Sequence, residues 1–302
     1  MAIFPSIFPS LPKYPGPFTV GSVEIEVPLA TCRNFEVTET AVETILVRLF
    51  YPCEKGGKGR PGWLPQPSME YAKGYAAFLK QPILPASLAI SMVVYNTAIP
   101  AIENGVPLSA RSLELDTMPV MVFSHGLGGS RNAYSQWCGS MASYGILVAA
   151  IEHRDGSAPT SIVNPVSKEQ YSVPYRRITE YNEHTKDYRT SQLAQRTYEV
   201  SKLVGLLRDI NHGTLEGVTE DKKGLMAMFK GLLNTKKGEF IMAGHSFGAA
   251  TTVAACKDKE NFEASYPLKD EFKAAIMLDI WMMVPPLPPK SLFIMQIANS
   301  SR

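Results

Sequence analysis

Gly244-His245-Ser246-Phe247-Gly248 is a G-x-S-x-G pentapeptide, a pattern with mechanical meaning only where a strand turns sharply into a helix. Both flanks supply that context. Residues 239–243, EFIMA, read as a strand, and residues 247–256, rich in Ala and other small side chains, read as a helix. Such an elbow holds the serine in a strained backbone conformation and lifts its hydroxyl above the sheet. It also sets the hydroxyl at a helix N-terminus, where the dipole favours developing negative charge. Glycines flank it because side chains there would collide with the neighbouring strand and helix. Ser246 is the candidate nucleophile for acyl transfer. That chemistry also needs backbone N–H groups aimed at the oxyanion, one from the residue after the nucleophile and one from a loop after an earlier strand. Phe247 supplies the first. SHGLGG, residues 124–129, ends a strand in a glycine-rich turn and offers Leu127 as the second; a plain turn into a helix is the other reading of those residues. The acid should stand at the carboxyl end of a strand near the serine. Asp279 does so, closing the run AAIML at 274–278, whereas Asp258, Glu260 and Asp270 fall in a charged connection that reads as solvent-exposed.

These groups need a sheet edge to stand on. Short apolar runs alternate with longer amphipathic ones, the pattern of an α/β class fold with a mostly parallel sheet flanked by helices; the elbow at Ser246 makes the expected type an α/β-hydrolase fold. Strands are expected at 40–51, at 120–124 (VMVFS), at 146–151 (ILVAAI), at 239–243, at 274–278 and at 291–298 (SLFIMQIA). Helices are expected at 132–144 and 247–256, and over 189–210. In the last, Leu193, Val200, Leu203, Val204, Leu207 and Ile210 form one apolar stripe. The run ILPASLAISMVVYNTAIPAI, residues 83–102, reads as a buried helix plus loop, with a lipid-facing surface as its alternative.

A chain of 302 residues that is 45% hydrophobic and 19% charged can bury a large core, and residues 1–302 are expected to form a single domain. Thirty basic against twenty-eight acidic residues leave a charge of +2, with no Lys/Arg block to track a phosphate backbone, so no nucleic acid partner is expected. The N-terminal MAIFPSIFPSLPKYPGPF lacks a basic start and is broken by prolines, so it does not read as a signal peptide. Cys32, Cys53, Cys138 and Cys256 show no C-x-x-C or metal-ligand spacing. They read as free thiols in a reducing compartment, which makes the expected location cytoplasmic, with no metal.

FSHGLGGSRNAY, ILVAAIEHRDGSA, LLRDINHG, AGHSFGAAT and LDIWM occur in that order, with PFTVGS and RLFYP nearer the N-terminus. Together they make the chain resemble the platelet-activating-factor acetylhydrolases over most of residues 15–298. The resemblance implies a calcium-independent serine esterase with no cofactor. Its substrate would be a phospholipid, from whose sn-2 position it removes acetyl or other short or oxidised acyl groups. Peripheral contact with a membrane or lipid surface is an expectation attached to the run at 83–102 instead. The resemblance further implies Ser246 as nucleophile, Asp279 as acid, Leu127 and Phe247 as backbone oxyanion donors, and Trp281 as a residue lining the acyl pocket.

One part of the pattern is missing. The triad order in this fold is serine, acid, histidine, yet no histidine follows His245. The family resemblance puts that histidine on a loop beyond the strand matching SLFIMQIA. The expectation is therefore a C-terminally truncated chain lacking the final strand and helix and the histidine loop. His153, in EHRD at the end of a strand, is the one stand-in among the residues present; His184 reads as loop and His212 as a helix end. Two other readings stand beside the esterase: a truncated, non-catalytic hydrolase-like protein that binds a lipid or a partner, and an esterase of another α/β-hydrolase family.

Overall fold

β-Branched and aromatic runs pair side by side wherever both of their faces can be buried. The computed structural model describes residues 11–29, 42–57, 59–94, 97–166, 168–180, 182–257 and 268–279, with the backbone of 293–296. Strands β1 (Val20–Pro28), β2 (Thr44–Pro52), β3 (Ile102–Glu103), β4 (Val120–Ser124) and β5 (Leu147–Glu152) join β8 (Phe240–His245), β9 (Phe272–Leu278) and β10 (Phe293–Gln296) in one sheet. The order across it is β10-β9-β8-β4-β5-β2-β1-β3. The central strands β9, β8, β4 and β5 are parallel, while β2 runs antiparallel to β5 and to β1, and β10 antiparallel to β9. β6 (Thr160–Val163) and β7 (Tyr171–Pro174) form a separate hairpin that the sequence pattern did not announce.

Alternation along the strands divides the core between two helical layers. Val120 and Val122 of β4 face one layer, with Val47, Leu49 and Ala149, and meet Val200, Leu203, Val204, Leu207 and Ile210 of α4 (Glu183–His212). Met121 and Phe123 face the other, with Phe50, Val148 and Ala150, and meet Cys138 and Ala142 of α3 (Ser135–Ala142). α4 begins earlier than its apolar stripe because Asn182 and Thr185 cap it reciprocally, Thr185 N–H to Asn182 Oδ1 at 3.1 Å and Asn182 N–H to Thr185 Oγ1 at 2.7 Å. It ends at Gly213, whose φ of 73° suits glycine. Short helix α5 (Glu220–Ala227) follows, and α6 (Phe247–Cys256) falls where its sequence placed it.

The apolar run at 83–102 is not a buried helix. Within it α2 (Ile83–Val94) packs beside α1 (Ser68–Phe78) through Ile90 and Val94, while Leu84, Leu88, Met92 and Val93 are exposed, Met92 to 71%. Periodicity cannot separate a core helix from an apolar surface helix, because both lack a charged face. Among the described residues no helix is long and apolar enough to cross a membrane.

The α4 layer should be the most sensitive part of this core. Leu207 is fully buried, so Leu207→Ala should cost about 2 to 5 kcal/mol. Urea unfolding should show a lower midpoint at an unchanged slope.

Candidate active site

Ser246 sits between β8 and α6 with φ 54° and ψ −116°, a conformation that side-chain-bearing residues avoid. The surroundings hold it there. Its N–H donates to the Leu278 carbonyl at 3.0 Å, and its carbonyl accepts from Ala249 and Ala250 N–H at 3.0 and 3.2 Å. A Cβ on Gly244 would strike the Gly248 carbonyl, and a Cβ on Gly248 the Ser124 carbonyl, so only glycine lets β8, α6 and β4 close on the turn. The Ser246 side chain is half-buried, and no hydrogen bond reaches its hydroxyl among the described residues.

The turn after β4 lies directly alongside, since a Cβ on Gly126 would stand 3.1 Å from Ser246 Cβ. The His153 N–H donates to His125 Nε2 at 3.1 Å, so the His125 proton must be on Nδ1, which donates to the Gly126 carbonyl at 2.9 Å. Gly129 N–H donates to the same carbonyl at 3.0 Å. In a trans peptide the N–H points opposite the C=O. Two donors on the Gly126 carbonyl therefore orient the Leu127 N–H, which has no partner among the described residues. Burial, helped by Arg196, pushes His125 down to about 4, so it keeps this neutral form at physiological pH.

Beneath the turn lies a polar network that sequence reading missed. Arg196, on α4 and shielded from water, donates from Nε to Asp155 at 2.7 Å, from Nη1 to the His125 carbonyl at 2.8 Å and from Nη2 to Ser157 Oγ at 2.5 Å. Its guanidinium also covers the Phe247 ring at 4.4 Å. The signal was present in the sequence: Arg189, Gln192, Arg196 and Glu199 continue, at helical spacing, the same inward stripe as Leu203 and Leu207.

His153 is no stand-in for a catalytic base. Its Nε2 lies 2.8 Å from Ser124 Oγ and its Nδ1 2.5 Å from Glu199 Oε2, and all three side chains are buried. The trio has the order of a triad, but Ser124 is inside strand β4 where no substrate can reach. Burial and then Asp155 push Glu199 up to about 8, while burial and Arg196 push His153 well below its usual range. Glu199 therefore keeps its proton at neutral pH and donates it to Nδ1, leaving Nε2–H to donate to Ser124.

Asp279 follows β9, whose Leu278 stands beside His245, so the carboxylate and Ser246 leave adjoining strands at the same edge of the sheet. It is exposed, with a φ of 41° that aspartate tolerates better than most residues. Asp270 lies at the opposite end of β9, paired on the surface with Lys237 at 3.2 Å. Trp281, Asp258 and Glu260 lie outside the described residues. Of the other histidines, His184 and His212 are exposed on α4, and His245 Nδ1 is 2.7 Å from the Tyr134 hydroxyl.

The sequence profile of the platelet-activating factor acetylhydrolase isoform II family matches residues 6–292. The chain belongs to that family. A protein of Schizosaccharomyces pombe named "Putative phospholipase A2" is 36% identical over 296 residues, covering 90% of this chain and 65% of its own length. The platelet-activating factor acetylhydrolase of Bos taurus is 29% identical over 279 residues, covering 90% of this chain and 55% of its own length. The chain thus spans between about half and two thirds of the length of these curated relatives. Among solved structures, a ferulic acid esterase from Streptomyces cinnamoneus aligns with a TM-score of 0.47 and 16% identity over 81% of this chain and 57% of that one.

Glu199 makes stability depend on pH with a definite sign. Its folded pKa of about 8 lies above the unfolded value near 4.5. Its contribution is therefore complete below pH 4.5 and lost as pH rises towards 8. Glu199→Gln keeps a donor to His153 at every pH. Urea titrations across this window should show the stability of the variant relative to the parent rising with pH.

Proposed function

We propose that the chain is the catalytic body of a calcium-independent ester hydrolase acting on phospholipids with acetyl or other short or oxidised sn-2 acyl groups. The carrying observation is the pairing of a strained, half-buried Ser246 with a Leu127 N–H oriented by two donors on the preceding carbonyl. In this reading the Ser246 hydroxyl attacks the sn-2 carbonyl carbon. The oxygen that becomes negative is received by the N–H groups of Leu127 and Phe247, the second at the start of α6, where the helix dipole adds to it. The serine proton passes to a histidine base, which the family resemblance puts on a loop beyond the strand matching SLFIMQIA, and Asp279 orients that base. The sn-2 C–O bond then breaks, the lysophospholipid leaves with that proton, and water cleaves the acyl-serine ester. Trp281, two residues further on, is assigned to the acyl pocket by the family resemblance. Ester cleavage by this route needs no metal or redox cofactor.

A second reading has its own supporting observation: no histidine ring is hydrogen-bonded to the Ser246 hydroxyl among the described residues. In that reading the site binds a lipid without turning it over. Hydrolysis of a short-chain sn-2 phospholipid in excess chelator separates the two, measured on the 302-residue chain and on the longest form its coding sequence specifies. Ser246→Ala should lower turnover by on the order of 10⁴ to 10⁶ while leaving the melting transition intact. Turnover that survives the substitution removes Ser246 from its role, and tight lipid binding without turnover in either form favours the second reading.

The apolar face of α2 supports contact with a phospholipid surface. It carries no charge, and the end of α1 next to it reaches the candidate site, because the Phe78 ring lies over Gly128 of the oxyanion turn. An uncharged apolar helix of this kind enters the headgroup layer by area rather than by charge. Partition onto neutral phosphatidylcholine vesicles should weaken in Leu88→Asp and Val93→Asp and should respond little to salt. Unchanged partition would leave α2 without this role.

A further inference from the structure

We infer that Tyr134 is a positioning residue whose single hydroxyl ties the oxyanion turn to the nucleophile elbow and fixes the His245 ring with its proton on Nε2. Three distances carry this. The hydroxyl lies 3.3 Å from Gly126 N and 2.7 Å from His245 Nδ1, and the Tyr134 ring packs on Phe123 of β4 with centroids 4.9 Å apart. A backbone N–H only donates, so the phenol oxygen accepts from Gly126. Burial raises the Tyr134 phenol, so it keeps its proton at neutral pH, and the acceptor within reach of that proton is His245 Nδ1. His245 is then left with Nε2–H, a donor, and its Nδ1 is occupied.

The two groups held by this hydroxyl are placed to matter. Gly126 precedes Leu127 and His245 precedes Ser246, so one oxygen spans the residues before the proposed donor and the proposed nucleophile. The Gly126–Leu127 peptide is held at its carbonyl by His125 and Gly129. Tyr134 holds the peptide before it at its N–H, which leaves Leu127 little freedom to swing away from Ser246. Misplacement of a reacting group by about 1 Å can cost on the order of 10²-fold in rate.

The kinetic half of this inference rests on the ester-hydrolase reading; the structural half does not. Tyr134→Phe deletes the hydroxyl and keeps the ring packing. In the parent 302-residue chain, nitrogen-15 NMR of labelled histidine, with the His245 signal identified by its loss in His245→Gln, should show the proton on Nε2. In Tyr134→Phe that signal should move to a mixture of tautomers, and Gly126 N–H exchange should speed up at least about tenfold, the loss of roughly one hydrogen bond. In a form that turns over substrate, kcat should fall about 10- to 100-fold with KM within about twofold, the pattern of an interaction lost in the transition state alone. A parent His245 with its proton on Nδ1 overturns the inference without any variant. An unchanged His245 spectrum together with unchanged Gly126 exchange in Tyr134→Phe also overturns it. Changed spectra with unaltered kcat remove the positioning role. Absence of turnover in every form counts against the ester-hydrolase reading, and the two NMR measurements then still decide whether the hydroxyl forms the tie.

Discussion

A guanidinium sealed from water must find acceptors for its N–H groups, because an ionised group left unpaired in the interior costs several kcal/mol. Arg196 meets that requirement by drawing three other segments onto α4. Asp155 and Ser157 come from the loop after β5, the His125 carbonyl from the turn after β4, and the Phe247 ring from the start of α6. The candidate oxyanion turn and the elbow are therefore not free loops on a sheet edge. They are fastened from below to one rigid helix, and the helix is fastened to the sheet by the apolar residues that follow Arg196 on the same face.

A second buried node holds the far side of the same turn. Arg131, just past the glycines, donates from Nη1 to Glu152 at 2.6 Å and from Nε to Glu24 at 2.7 Å, while the Tyr71 hydroxyl donates to Glu152 at 2.5 Å. Burial alone would raise Glu24, yet Arg131 and Arg48 outweigh it and hold the carboxyl at about 2. β1, β5 and α1 meet at this point. Pairs of this kind add little net stability over well-packed apolar residues, so their structural consequence is register. They fix which strand end meets which loop, and that is the requirement of a site whose donors must converge on one oxygen.

The two nodes differ from the patch on α2 in what they ask of solvent. Around Arg196 and Arg131 charge is internalised and satisfied, whereas on α2 apolar side chains are left outside the core with no charge among them. Phe78 joins the two regions, reaching from the end of α1 onto Gly128, with Arg177 Nη2 donating to its carbonyl. Phe78 thus links the α1–α2 pair to the turn that carries Leu127.

The sequence by itself determined several of the local elements and the chain order of the candidate groups. VMVFS and the small-residue helix at 247–256 fall where their patterns put them. The elbow was legible because glycines at 244 and 248 answer a steric demand made within a few residues. Only the tertiary structure decided what the histidines do. His153 stands at a strand end, where a catalytic histidine would stand, and its burial between Ser124 and Glu199 depends on α4, dozens of residues away. The same holds for the pairs Arg196–Asp155 and Tyr134–His245, 41 and 111 residues apart, which follow no spacing rule. It holds for α2 as well, since an apolar run states that water is unfavourable and leaves open what covers it. Periodicity reports the faces of one element, whereas burial and pairing are settled only when several elements close on the same space.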